Sequence, residues 1–132
     1  MTEEEKDLLL KDLCARLSYK PQVEIIKDGT SITDKLTTAT INHLEGGYWD
    51  VKPYLFPLTS ITEEQYYEMN ICASEDCVEH FDILRSIQEH TEFSKWPLYE
   101  YRVIDFFHKN HFDYRGLIEK GLAIDATGLN IY

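Results

Sequence analysis

The fold class is decided by the stretch MTEEEKDLLLKDLCARLSYKPQVEIIKDG, residues 1–29, because its hydrophobic period changes once along it. Thr2 and Glu5 form a capping-box pattern at the start of a helix. Apolar side chains then recur at helical spacing, namely Leu9, Leu10, Leu13, Cys14 and Leu17. Together these two signals predict a helix over residues 3–18.

The hydrophobic period shortens to two residues after Pro21. Val23 and Ile25 alternate with polar neighbours, which is typical of a strand with one buried face. The strand is expected to end at Asp28-Gly29, a turn-forming pair. A helix followed by strands already indicates an α+β arrangement.

Two further strands are predicted downstream. Thr37–Ile41 is rich in β-branched residues, Gly46-Gly47 is typical of a hairpin turn, and Tyr48–Val51 follows as the third strand. Pro53 and Pro57 are expected to end the sheet, since proline cannot donate to a strand ladder. The result is a three-stranded antiparallel meander, which needs helices to cover one of its faces.

Helices are predicted for most of the C-terminal half. Ser60 and Glu63 form a second capping-box pattern before a helix over 61–70, and a third helix is expected over 75–90. A fourth begins at Pro97, since proline suits the first helical turn. The predicted fold is therefore an N-terminal helix, a three-stranded meander and three to four C-terminal helices.

Length and composition indicate one α+β domain over residues 1–132. The chain is 43% hydrophobic, enough for a core without metals or disulfides. No apolar run approaches the length of a membrane span, and the acidic N-terminus is unlike a secretory signal. We therefore expect a cytoplasmic protein that binds no membrane. Its three cysteines, Cys14, Cys72 and Cys77, are expected to be reduced thiols.

The net charge of −11 is concentrated in one segment. Between residues 63 and 92, Arg85 alone opposes nine acidic residues, which are Glu63, Glu64, Glu68, Glu75, Asp76, Glu79, Asp82, Glu89 and Glu92. This balance disfavours direct binding of nucleic acid, where Lys and Arg must neutralise phosphates. It favours a basic protein partner, or else a helix face that is only solvated.

Three of these acids, Glu75, Glu79 and Asp82, are expected to lie on the outer face of the helix over 75–90. We single them out as candidate partner-binding residues. In one interpretation they imitate a row of phosphates and occupy a basic, nucleic-acid-binding protein. In the other they keep the helix face soluble and bind nothing.

The stretch KNHFDYRGLIEKGL, residues 109–122, has an interpretation based on backbone geometry alone. Asn110 tolerates a left-handed conformation and is expected to end the fourth helix. Asp113 is a good N-cap for a helix over 114–120. Gly121 then occupies the glycine position just beyond the helix end, where Leu122 packs back on Leu117.

The alternative is a small enzyme or a metal-binding protein. Its site would use His108, His111 and Asp113, with Arg115 beside them. Zinc requires more ligands than two histidines supply, and catalysis requires a whole arrangement of placed groups. The sequence also lacks a phosphate-binding glycine loop, a nucleophile elbow and a dinucleotide fingerprint, so no cofactor is expected.

Three stretches resemble a family of small uncharacterised proteins from gut anaerobic bacteria, often encoded in prophages or other mobile elements. They are MTEEEKDLLLKDLCARL, VKPYLFPLTSITEEQ and NHFDYRGLIEKGLA. The resemblance implies an accessory protein acting inside a bacterial cell, and it supplies no activity and no catalytic residues. A non-catalytic interaction protein is therefore the function we expect.

Overall fold

The structure is a computed structural model that describes residues 1–62, 64–65 and 100–132, with residues 100–104 described through their backbone. The chain divides into two compact units. The first combines Met1–Phe56 with Arg115–Tyr132, and the second is Pro57–Tyr114. The predicted helix over 75–90 and the predicted helix start at Pro97 lie outside the described residues. A single domain over residues 1–132 stays a prediction.

The first unit begins with helix α1, Glu3–Arg16, as the capping box predicts. The Thr2 hydroxyl accepts from the Glu5 N–H at 3.1 Å, and the Glu5 carboxylate accepts from the Thr2 N–H at 3.0 Å. The predicted apolar stripe is only partly correct, because Cys14 is exposed. The four fully buried positions of α1 recur every three or four residues, and they are Leu9, Asp12, Leu13 and Arg16.

A β-hairpin follows α1. Strand β1 is Gln22–Lys27 and strand β2 is Thr30–Lys35, so the sequence analysis found the first strand and missed the second. Asp28 and Gly29 connect them with φ values of 51° and 78°. Two successive positive φ values are typical of the tight hairpin turn whose twist matches that of the strands. The turn pairs Lys27 with Thr30.

The predicted second strand, Thr37–Ile41, is wrong because these residues belong to helix α2, Thr38–Glu45. The Thr37 hydroxyl accepts from the Thr40 N–H at 3.3 Å and caps the helix. The side chains of Thr40, Ile41 and Leu44 are buried at helical spacing. Packing of this face therefore overrides the preference of β-branched residues for strands.

The predicted hairpin turn at Gly46-Gly47 is also wrong, because this pair ends α2. Gly47 has a φ of 77°, and its N–H donates to the Leu44 carbonyl at 3.1 Å. The Lys6 ammonium donates to the Glu45 carbonyl at 2.9 Å, which places a cation at the helix C-terminus. The glycine pair thus performs the usual role of a helix stop.

Strand β3, Asp50–Pro57, starts later and runs further than predicted. Pro53 does not end the sheet, because proline's fixed φ is compatible with an extended strand. It pairs with Val23 at the last position of the antiparallel ladder with β1, where a missing N–H costs least. Since β3 pairs with β1, the order of these strands is β2-β1-β3. This order differs from that of a meander.

The C-terminal segment of the first unit contains a tight turn instead of the helix predicted over 114–120. The Leu122 N–H donates to the Leu117 carbonyl at 2.9 Å, and the Gly121 N–H donates to the Ile118 carbonyl at 3.1 Å. Gly121 has a φ of 74°. These are the two hydrogen bonds and the left-handed residue of a Schellman motif, so the predicted role of Gly121 is confirmed.

The chain then adds a strand to the sheet and ends against it. Strand β5, Ile124–Asp125, pairs parallel with β3, and the Ala126 N–H donates to the Leu55 carbonyl at 2.8 Å. The Tyr132 hydroxyl donates to the Tyr54 carbonyl at 2.6 Å and accepts from the Gln22 N–H at 3.0 Å. One phenol therefore links two strands.

The core of the first unit draws on most of these elements, although the side chains of β2 are exposed. It contains aliphatic side chains from α1, β1, α2, β3 and the C-terminal turn, and the residue after β2 adds Leu36. Leu13, Val23, Leu55 and Leu117 are fully enclosed, with exposed fractions of 0%. Because Leu117 is among them, the C-terminal segment is part of this core.

The described part of the second unit contains a 3₁₀ turn, Leu58–Ser60, helix α3, Glu100–Lys109, and the two-residue strand β4, Phe112–Asp113. Glu63 of the predicted capping box with Ser60 lies outside the described residues. Thr62 and Gln65 form reciprocal capping hydrogen bonds at 3.0 and 3.1 Å. The same sequence pattern occurs two residues further on, and Ser60 instead donates to the Pro57 carbonyl.

The junction after α3 also differs from the prediction. His111, with a φ of 62°, is the left-handed residue, and Asn110 is not. The Asn110 side chain donates back to the Phe106 carbonyl at 3.1 Å. The buried Phe107 and Phe112 meet edge to face with ring centroids 6.2 Å apart. Asp113 lies in β4, so its predicted role as an N-cap is wrong.

Loss of the α2 cap provides a first test of this fold. Thr37→Ala removes the acceptor for the Thr40 N–H, and we expect it to lower the free energy of unfolding by about 0.5–2 kcal/mol. Thr38→Ala is the matched control, since Thr38 is exposed in the first turn of the same helix. Urea denaturation measures both variants. Equal stabilities would contradict a capped helix at this position.

A second test concerns the Schellman turn. A Cβ built on Gly121 meets no atom within 4 Å, so a substitution there is opposed by backbone conformation alone. Gly121→Val should cost at least about 1–2 kcal/mol of stability because branched residues strongly disfavour positive φ. Gly121→Asn is the control, since asparagine tolerates this conformation, and it should retain most of the stability. Two equally stable variants would show that the turn has another geometry.

A third test uses alkaline pH. Burial raises the pKa of Tyr132 to about 12, above the value of about 10 for an unfolded tyrosine. Between these values the folded chain keeps a proton that the unfolded chain releases. The contribution of Tyr132 to stability is therefore complete below about pH 10 and is lost as the pH rises towards about 12.

Tyr132→Phe isolates this effect, because all other tyrosines titrate in both proteins. The difference in unfolding free energy between parent and variant should shrink over that pH range. Chemical denaturation at several pH values measures it. A difference that is independent of pH would contradict a hydroxyl whose proton the fold retains.

Candidate functional site

A buried ionic cluster lies inside the first unit. The Asp12 carboxylate contacts two guanidinium groups, with Oδ2 2.8 Å from Nε of Arg16 and Oδ1 3.1 Å from Nε of Arg115. The Asp12 and Arg16 side chains are fully buried, and the Arg115 side chain is 20% exposed. Each carboxylate oxygen therefore binds a different arginine.

The two arginines come from distant parts of the chain. Arg16 lies one helical turn after Asp12, and Arg115 is 103 residues away in sequence. Charge-assisted hydrogen bonds of this length are strong, and burial raises the cost of losing any one partner. The cluster therefore fixes the C-terminal segment of the first unit against α1, which is a structural function.

The residues of the predicted alternative site are divided between the two units. Arg115 belongs to the first unit and binds Asp12, whereas His108, His111 and Asp113 belong to the second unit. Within that unit the His108 Nε2 lies 2.7 Å from the Tyr114 hydroxyl, and both rings pack with centroids 5.4 Å apart. Tyr114 is a partner of His108 that sequence reasoning did not identify.

Two of the remaining predicted site residues, His111 and Asp113, are described by the structure. His111 occupies the left-handed connection after α3, and Asp113 is buried in β4. Glu75, Glu79 and Asp82, the candidate partner-binding residues, lie outside the described residues. Cys72 and Cys77, which are expected to be reduced thiols, lie there too.

An aromatic cluster on the surface of the first unit was also not predicted. The His43 and Trp49 rings stack with centroids 3.8 Å apart, and the Lys27 ammonium lies 5.2 Å from the Trp49 ring centroid. Tyr48 meets His43 edge-on at 6.3 Å and is 78% exposed. The tryptophan ring thus contacts an imidazole and a cation, and these contacts stabilise the end of α2.

A cleft of about 340 Å³ opens near the start of α1 and the Schellman turn. Its walls combine buried aliphatic side chains with charged side chains of both signs. This volume falls at the small end of the range of about 300–1,000 Å³ for ligand sites. The cleft is a concave surface open to a ligand, whereas Asp12 and Arg16 of the ionic cluster are enclosed.

No metal site is formed by the residues that the structure describes: nowhere among them do three or more His, Cys, Asp or Glu side chains come together to hold an ion. Among the same residues, no helix is long and apolar enough to span a membrane. Comparison of the chain with protein-family models, with curated proteins and with solved structures finds no match. The function is therefore argued from charge and geometry.

The ionic cluster predicts that two aspartates of α1 differ greatly in their contribution to the free energy of unfolding. Asp12→Asn leaves two arginines without their shared carboxylate, and we expect it to lower the free energy of unfolding by about 3–5 kcal/mol. Asp7→Asn removes the same charge from an exposed position of the helix and should change stability by less than about 0.5 kcal/mol. Urea denaturation with a circular dichroism readout compares them. Similar costs would show that the cluster is not buried.

Proposed function

We propose that this chain is a non-catalytic intracellular accessory protein whose acidic segment, residues 63–92, binds a basic surface of a protein partner. The observation that carries the proposal is the charge distribution. This segment holds a net charge of −8 out of −11 within 30 residues. Such a concentration attracts a basic surface over a distance of about 10 Å at moderate ionic strength.

The contacts of the described polar residues support a non-catalytic protein. Asp12 binds both Arg16 and Arg115. These groups have partners that explain their burial without a substrate. We therefore assign binding to the acidic segment and a structural role to these buried polar groups.

A partner that ordinarily binds nucleic acid fits this chemistry best. The basic surface of such a protein is built to meet a row of phosphates, and closely spaced carboxylates imitate that row. Glu75, Glu79 and Asp82 are the residues proposed for the contact. A phage or mobile-element origin, which the sequence resemblance implies, would suit a protein that occupies the host's nucleic-acid-binding proteins.

The alternative is a small enzyme or metal-binding protein that uses His108, His111 and Asp113. The hydrogen bond between His108 and Tyr114 is the one observation that favours chemistry there, since it pairs two titratable groups. Metal analysis of the purified protein distinguishes the two functions. A stoichiometric transition metal that disappears in the His108→Ala, His111→Ala double variant would support the alternative.

The interaction should depend steeply on salt and on three named charges. The purified chain is immobilised and exposed to a lysate of the host at about 50 and about 200 mM salt, where screening weakens exposed charge pairs. We expect a basic protein to bind at the lower concentration and to be lost at the higher one. The variant Glu75→Gln, Glu79→Gln, Asp82→Asn should fail to bind it at either.

A matched variant controls for the loss of net charge. Glu4→Gln, Asp7→Asn and Glu45→Gln remove the same three charges from exposed positions of the first unit. We expect this variant to bind the partner as the parent does, with circular dichroism confirming that both variants fold. Equal binding by all three proteins, or no basic partner at low salt, would contradict the proposal.

A further inference from the structure

The cleft of the first unit has an apolar floor. Leu9, Val51 and Leu122 line it with exposed fractions of 1%, 2% and 5%, and Ile26 lies at its rim with 38% exposed. The floor side chains come from α1, β3 and the Schellman turn, three elements that the core holds together. A floor of this kind binds a small aliphatic group and excludes water from it.

The side chains at the rim of the cleft include two cations and two anions. Lys52 and Lys120 supply the ammonium groups, and Glu5 and Asp50 supply the carboxylates. Among the described residues, neither lysine forms an ion pair, and Asp50 forms none. These four side chains balance in charge, and the N-terminal ammonium of Met1, which also lines the cleft, adds a positive charge, although the chain as a whole carries −11.

The capping box fixes one of these charges. Hydrogen bonds from the N–H and hydroxyl of Thr2 hold the pKa of the Glu5 carboxyl below the ordinary value, with smaller contributions from the N-terminal ammonium and Lys120. Glu5 is therefore ionised at neutral pH. Its position at the first turn of α1 is set by the same hydrogen bonds, so this carboxylate is preorganised at the rim.

We infer that the cleft binds a small zwitterion with an aliphatic side chain, of the class of a free aliphatic amino acid. The carboxylate of such a molecule pairs with Lys52 and Lys120, its ammonium pairs with Asp50 and Glu5, and its side chain lies on Leu9, Val51 and Leu122. A neutral ligand also avoids the repulsion that a net charge of −11 exerts on an anion.

Four small probes distinguish this ligand class from its neighbours. They are leucine, 4-methylpentanoate, which lacks the amine, 3-methylbutylamine, which lacks the carboxylate, and glycine, which lacks the side chain. Each is titrated into the ¹⁵N-labelled full chain while the amide signals of Val51, Lys52 and Gly121 are followed. Leucine should bind about three- to tenfold more tightly than any of the other three. Each analogue lacks one group that contacts the cleft, and a single contact at an exposed rim contributes only modestly to affinity.

Variants of the rim complete the test. Lys52→Gln combined with Lys120→Gln, and separately Asp50→Asn, should weaken leucine binding about three- to tenfold. Lys11→Gln, an exposed lysine of α1 that does not line the cleft, should leave it unchanged. The inference is overturned if leucine shifts none of these signals. It is also overturned if an analogue binds as tightly as leucine, or if the rim variants bind leucine as the parent does.

Discussion

The first unit depends on the placement of one buried carboxylate. Asp12 accepts from Arg16 within α1 and from Arg115 far along the chain, and both charges at the helix are fully enclosed. A buried ion is tolerated only when its partners are held in good geometry. The arrangement therefore constrains where residue 115 lies, and with it the turn that supplies Leu117 and Leu122 to the core. A hydrophobic pair at the same positions would pack without fixing the position of residue 115 against α1.

The C-terminal segment of the first unit is joined to the sheet at several points. The Schellman turn at Gly121 directs the chain into β5, which pairs with β3. Tyr132 then reaches across to β1 and β3 with its hydroxyl. These contacts connect the last 18 residues to strands that lie about 70 to 110 residues earlier, and local propensity has no part in specifying them. The segment is held by tertiary contacts.

The predictions from the sequence are confirmed where the signal acts between residues close together in the chain. The Thr2–Glu5 capping box, the Asp28-Gly29 turn and the glycine at 121 each act within a few residues, and each is found as expected. The errors arose where packing overrides propensity. Thr37–Ile41 has β-branched composition but forms a capped helix because Ile41 and Leu44 are buried on one face.

The candidate sites were harder to predict than the elements, for a related reason. Asp12 and Arg16 were not singled out from the sequence, because charged residues are rarely enclosed unless paired. Their spacing of four residues beside the apolar stripe was the available signal. Arg115 was singled out, but its partner lies 103 residues away, beyond what spacing can reveal. His108 was likewise singled out, whereas its hydrogen-bond partner Tyr114 was not.

Native-state hydrogen exchange tests the central claim that the C-terminal segment and α1 form one cooperative structure. The amides of Leu122 and Ala126, both donors to backbone carbonyls, should exchange only when the buried amides of α1 also exchange. Their opening free energy should therefore equal that of Leu13. If Leu122 and Ala126 exchange freely while Leu13 remains protected, the segment unfolds independently and the account is contradicted.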